Sequence, residues 1–131
     1  MIQVTCAVIF DNDKILVTQR GVKQHQPFLW EFPGGKIESG ETAESCILRE
    51  LFEELGIHVR LKGKLKKCNY DYGSFQVTLI PFIAEIVSGT ITLHEHMNFS
   101  WMKPGELKSL DWTPADIAIV NQVMEYCGVH Q

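Results

Sequence analysis

The sequence predicts an α/β (α+β) fold built as one domain over residues 1–131, and three observations predict it. Stretches rich in β-branched and aromatic residues interleave with helical patterns, turn formers punctuate them at short intervals, and no repeat, linker or low-complexity segment divides the chain. Residues 2–10 and 14–20 read as strands, because apolar runs flank the turn formers Asp11, Asn12 and Asp13. Residues 21–29 are a polar loop. A helix over 42–55 follows, with Thr42 as its N-cap, Glu44 suiting the positive end of the first turn and Gly56 as the C′ stop. Strands over 57–72 and 75–87 come next, separated by the hairpin signal Gly73-Ser74, and residues 99–102 make a further short strand. Pro114 opens a terminal helix whose Ile117, Val120, Val123 and Met124 recur at helical spacing and are expected against the core.

Length and composition agree with one globular domain. A chain of 131 residues buries about two thirds of its unfolded surface, enough for a core without disulfides or structural metal. The hydrophobic share is 45%, and no apolar run approaches the ~20 residues needed to cross a bilayer. The start Met1-Ile2-Gln3-Val4-Thr5 has no basic segment followed by an apolar stretch, so no secretory signal is seen and a cytoplasmic location is expected. A net charge of −4, with Lys and Arg clustered only at 62–67, argues against a nucleic-acid partner. Neither nucleic acid nor membrane is expected, and the chain is expected to be a monomer or weak homodimer. Cys6, Cys46, Cys68 and Cys127 show no C-x-x-C spacing and read as reduced thiols packed as small apolar groups. His25, His94 and His96 fall in loops and are expected as exposed polar side chains.

Chemistry concentrates between residues 35 and 57. At about 100° per residue, Glu53 lies roughly 60° to one side of Glu50 and Glu54 roughly 40° to the other, so three carboxylates share one helix face. Leu48, Leu51, Phe52 and Leu55 are expected on the opposite, buried face. Crowded like charges repel in an isolated helix, and hard cations remove that repulsion. Oxygen ligands fit Mg²⁺, with Mn²⁺ as a substitute; Zn²⁺ would call for His or Cys at metal spacing, which is missing from the sequence. Cations held this way screen the charge of an anionic substrate and lower the pKa of a bound water. Arg49 cannot act as a base, so its expected task is to fix Glu50 or Glu41. Pro33-Gly34-Gly35 is a turn that lets backbone approach a metal or phosphate.

Gly35, Glu41, Arg49, Glu50, an apolar Leu51, Glu53, Glu54, Gly56 and an apolar Ile57 stand at the spacing of the Nudix box, and the chain resembles that family at every specified position. Such a match would arise by chance on the order of once per billion start positions. Trp30-Glu31-Phe32-Pro33-Gly34 ahead of the box resembles a common lead-in of the family. The resemblance implies a mixed β-sheet sandwiched between helices, and hydrolysis of a nucleoside diphosphate linked to another group. It also implies that the residue before the box glycine, Gly34, offers a carbonyl to metal beside Glu50, Glu53 and Glu54.

The chain is most similar to the MutT-type branch, nucleoside triphosphate pyrophosphohydrolases that remove oxidised nucleotides such as 8-oxo-dGTP. By that similarity Arg20 contacts phosphate, Glu95 is an additional metal-linked carboxylate, and Gly35 and Lys36 belong with the substrate-binding set. Phe32 and Tyr72 are candidate walls for a base. Asp116 opens the helix that reads the base, where the branch's prototype has Asn. Ionised Asp only accepts hydrogen bonds, which suits an amino group of cytosine or adenine, or the N7–H of an oxidised purine. Pro114-Ala115-Asp116-Ile117 resembles the form found in relatives that prefer cytidine triphosphates, which the resemblance implies as the alternative substrate, and Asp116 as a plain helix cap is the alternative role. Hydrolysis of ADP-ribose or dinucleoside polyphosphates, and nucleotide sensing without catalysis, fit less well, because the chain lacks extra strands and basic surface and keeps every box glutamate.

Overall fold

A computed structural model describes residues 1–129. In chain order the elements are β1 (Ile2–Asp11), β2 (Lys14–Gln19), β3 (Trp30–Glu31), β4 (Gly34–Lys36), α1 (Ala43–Leu55), β5 (His58–Lys64), β6 (Cys68–Asp71), β7 (Gln76–Ser88), β8 (Asn98–Met102), a 3₁₀ helix over Pro104–Ser109, and α2 (Pro114–Tyr126).

Strand β1 organises the sheet, whose main path runs β3-β2-β1-β7-β5. It pairs in parallel with β7 from Ile2 opposite Val77 to Ile9 opposite Ala84, while β4 pairs antiparallel along its other edge and β2 antiparallel at its far end. Alternation along the strands supplies both core faces. Cys6, Val8, Ile15 and Val17 point toward Ile119, Val120 and Val123 of α2, while Ala7, Ile9 and Leu16 point toward Ile47, Leu51 and Leu55 of α1. The sheet thus lies between two helices, as the resemblance implied.

Three expectations are corrected. The strand expected over 57–72 is two strands, because Pro81 of β7 has no N–H for a ladder partner. Opposite it the chain leaves the ladder: β5 ends with Lys64 beside Phe82, and β6 begins with Cys68 beside Leu79. Gln122 of α2 takes the freed backbone N–H and carbonyl of Lys66. On α1 the buried side is Cys46, Ile47, Leu51 and Leu55, whereas Leu48 and Phe52 are 43% and 52% exposed. The helix packs on the flank that adjoins its carboxylates, so Glu50 and Glu54 stand at the edge of the core rather than opposite it. On α2, Ile117 is 51% exposed and Asp116 and Ile119 take the inward positions.

The caps of α1 are as expected. Thr42 Oγ1 accepts from the Ser45 N–H, and Gly56 closes the helix with a φ of 68° that favours glycine. Among the described residues no helix is long and apolar enough to cross a membrane.

Candidate functional site

The site forms where β4, the second half of α1 and the loop before β8 meet. Gly34 and Gly35 allow that approach. A Cβ on Gly34 would lie 2.0 Å from the carbonyl oxygen of Thr5, and one on Gly35 would lie 2.3–2.5 Å from the carboxylate of Glu50. The first glycine lets β4 pair closely with β1, and the second lets a glutamate lie against the strand backbone.

Arg49 is the hub of the acidic face. Its Nε and Nη2 donate to both oxygens of Glu41 at 2.7 and 3.0 Å, and its Nη1 donates to Glu50 at 3.0 Å and Glu53 at 3.2 Å. It fixes Glu50 and Glu41 together, the two partners between which the sequence left the choice open. The bidentate bond holds the Glu41 carboxyl down at about 2.

Glu54 is in the opposite situation. Burial above all, and then the charges of Glu31, Glu50 and Glu95, push its carboxyl up to about 9. Its Oε2 is buried with no hydrogen-bond partner. Burial also raises Glu50, against the pull of Arg49. Glu53 is exposed. Glu95 sits in an exposed loop anchored to both neighbours: the Thr92 and His94 N–H groups donate to the carbonyls of Leu55 and Glu54, and Met97 N–H to that of Gln19. Gly21 permits this docking, since a Cβ there would meet the Glu95 carbonyl oxygen at 2.4 Å.

Among the described residues no three His, Cys, Asp or Glu side chains converge as a ready metal-binding group, because Arg49 draws Glu50 and Glu53 toward its guanidinium. The donor set nevertheless fits a hard divalent cation. Every candidate ligand atom is oxygen, and an unpartnered buried carboxylate oxygen flanked by three more carboxylates favours ionisation only beside a positive charge.

A cleft of about 660 Å³ opens beside these carboxylates. Glu54, Arg20, Glu31 and Gly34 to Lys36 line it together with Phe32, Tyr72, Phe75, Asp116 and the apolar Val4, Val77 and Leu79. Tyr72 stacks on Phe75 with ring centroids 5.1 Å apart, and Phe32 packs on Trp112 at 4.8 Å. Lys36 is exposed at the rim, with its carbonyl accepting from Arg49 Nη2. Arg20 donates from Nη1 to Glu31 at 2.7 Å and from Nε to the carbonyl of His25.

Asp116 is buried, and its carboxylate ties α2 to the loop before β4. Oδ1 accepts from the Phe32 N–H at 3.1 Å and Oδ2 accepts from the Thr113 hydroxyl. Burial first, then Glu31, pushes it up to about 7. The carboxylate clamps two elements and also faces the cleft, so the cap and the reader are not exclusive.

Sequence reasoning missed two parts. His96, expected as an exposed loop residue, is buried with its Nε2 2.8 Å from Glu31 Oε2; nothing local could signal a contact between residues 65 apart in sequence. Phe75 went unmarked, although its place directly after the Gly73-Ser74 turn put it on the same hairpin as Tyr72.

The family profile described as NUDIX domain matches residues 1–123. The CTP pyrophosphohydrolase of Escherichia coli (strain K12) is 34% identical over 124 residues, covering 95% of this chain and 92% of that protein. The 8-oxo-dGTP diphosphatase of the same organism is 34% identical over 110 residues, covering 84% and 85%. Among solved structures, that of the E. coli ORF135 protein superposes with a TM-score of 0.84 at 32% identity, covering 97% of this chain and 91% of that one.

Proposed function

The chain belongs to the Nudix family, and on that premise we propose that it is a nucleoside triphosphate pyrophosphohydrolase dependent on Mg²⁺, with Mn²⁺ as a substitute. It adds water across one phosphoric anhydride bond of the triphosphate and releases nucleoside monophosphate and pyrophosphate, with 8-oxo-dGTP as the leading substrate. One observation carries this: a buried, unpartnered Glu54 carboxylate oxygen at the wall of a cleft that is also lined by aromatic side chains. Glu50, Glu53, Glu54, Glu95 and the Gly34 carbonyl would hold the cation, which supplies charge neutralisation of the triphosphate and a more acidic bound water.

The residues divide the remaining work. Arg49 orients Glu50 and Glu53, while Glu54 Oε2 keeps no hydrogen-bond partner. Arg20, Gly35 and Lys36 bind phosphate, while Phe32, Tyr72 and Phe75 exclude water around the base. An all-carboxylate face would repel a triphosphate, so the enzyme recruits it as the metal complex.

A second reading, cytidine triphosphates, is favoured by Asp116. Ionised, it offers only acceptors, and the Phe32 N–H that could have served a base oxygen is already bonded to it. The relative that acts on CTP, similar over 95% of this chain, supports the same reading. We place the enzyme in the cytoplasm as a single catalytic domain over 1–131, a monomer or weak homodimer without nucleic-acid or membrane partners. The test is a panel of 8-oxo-dGTP, dGTP, CTP, dCTP, dATP and ADP-ribose incubated with Mg²⁺ and the products separated. Monophosphate and pyrophosphate from one triphosphate, abolished by EDTA, is the expected result; turnover in EDTA, or of ADP-ribose alone, would refute it.

A further inference from the structure

Glu31 has both carboxylate oxygens engaged by residues far apart in sequence. Oε1 receives Arg20 Nη1 at 2.7 Å, and Oε2 lies 2.8 Å from Nε2 of His96. Arg20 in turn donates through Nε to the carbonyl of His25, within the loop over 21–29 whose Gln24, His25 and Gln26 line the cleft. That loop holds Gln26 and Phe28 at φ of 52° and 72°, conformations that residues other than glycine adopt at a cost. One continuous chain of contacts therefore runs from the loop carrying Glu95, through His96, Glu31 and Arg20, to the strained loop over the cleft.

His96 itself is an unusual choice for its place. Its side chain is 0% exposed, and its Nδ1 is buried with no partner. A carboxylate accepts, so Nε2 carries a proton and donates, and Nδ1 is left without a partner. Leaving such an atom unsatisfied is unfavourable, and an apolar side chain of similar volume would avoid it. The single bond to Glu31 is what the imidazole supplies that an apolar residue cannot.

We propose that His96 is a positioning residue for nucleotide binding: its Nε2–H holds Glu31 in the orientation that sets Arg20 and the loop over 21–29 at the phosphate end of the cleft. Without that bond, one Glu31 oxygen is free to turn and Arg20 follows it. The inference rests on the cleft being the nucleotide site.

Binding of a non-hydrolysable triphosphate analogue by calorimetry, alongside steady-state kinetics, tests it on His96→Leu, His96→Gln and His96→Asn. Gln places an amide N–H near the position of Nε2, whereas Asn is one carbon short. His96→Leu and His96→Asn should weaken analogue binding and raise KM by about tenfold or more, with kcat changed much less, and His96→Gln should recover most of the loss. In the background of Arg20→Ala the same substitutions should have little further effect, because the guanidinium they position is gone. If His96→Leu does not fold, the Gln and Asn comparison decides alone. Unchanged binding and KM in His96→Asn, or losses equal in His96→Gln and His96→Asn, would overturn the inference while nucleotide binding by the wild type stands. No analogue binding by the wild type would overturn both this inference and the proposed function.

Discussion

Glu53 and Glu54 are adjacent in the chain yet occupy different environments, one exposed beside Arg49 and the other buried among carboxylates. Replacing either with Gln should lower kcat by about 100-fold or more, since each removes a charge opposite the metal complex. Their effects on folding should differ. Glu53→Gln loses a surface pair worth little, whereas Glu54→Gln removes a carboxyl that burial disfavours in its charged form, so metal-free Glu54→Gln should melt no lower than wild type at pH 8. Near-normal turnover in both variants would remove the catalytic assignment. Asp116→Asn keeps an acceptor for the Phe32 N–H but reverses polarity at the other atom. It should re-rank 8-oxo-dGTP against dCTP and dATP by roughly ten- to hundredfold in kcat/KM, through a mismatched buried hydrogen bond. Identical ratios in both proteins would mean that Asp116 only clamps α2 to Phe32.

At the scale of elements, two adjacent glycines in β4 should respond differently to one added methyl. On Gly34 the new Cβ meets backbone, the Thr5 carbonyl and the Cys6 Cα, which cannot move without parting β1 from β4. Gly34→Ala should cost about 1–3 kcal/mol by overpacking and lower Tm accordingly. On Gly35 the three atoms nearest the Cβ all belong to the end of the Glu50 side chain, which can rotate away. Gly35→Ala should melt near wild type but lose activity, because the displaced carboxylate is one of the proposed ligands; a large Tm loss with full activity would contradict this. This junction was legible in sequence because the glycines, Arg49 and the glutamates lie within a few turns of one another. The faces of the helices were less so. Pattern reasoning set the carboxylates of α1 opposite its apolar side, yet a site that needs half-buried carboxylates packs them at the core's edge and turns Leu48 and Phe52 outward. The break opposite Pro81 and the burial of His96 depend on strand neighbours and on Glu31, partners that only the folded topology brings together.

For the molecule as a whole, the shifted carboxyls fix how stability depends on pH. Glu54 and Asp116 are raised from 4.5 and 3.8 to about 9 and about 7. A carboxyl raised on folding contributes stability that is complete below its unfolded value and is lost as pH climbs through the folded one. Glu41, lowered from 4.5 to about 2, does the reverse, and its contribution disappears only as pH falls from 4.5 toward 2. The metal-free protein should therefore be most stable near pH 4–5 and melt at progressively lower temperature up to about pH 9. Divalent cation opposes that decline, because it binds the ionised form and competes with the proton. Mg²⁺ at 100 times its dissociation constant adds about 2.7 kcal/mol, or roughly 10 °C in a domain of this size. The increment should be near zero at pH 5, grow through pH 8, reach its full size only above about pH 9, and be largely missing in Glu54→Gln. Melting curves with EDTA and with Mg²⁺ across that range measure it directly. An increment independent of pH, or undiminished in Glu54→Gln, would place the cation away from this carboxylate.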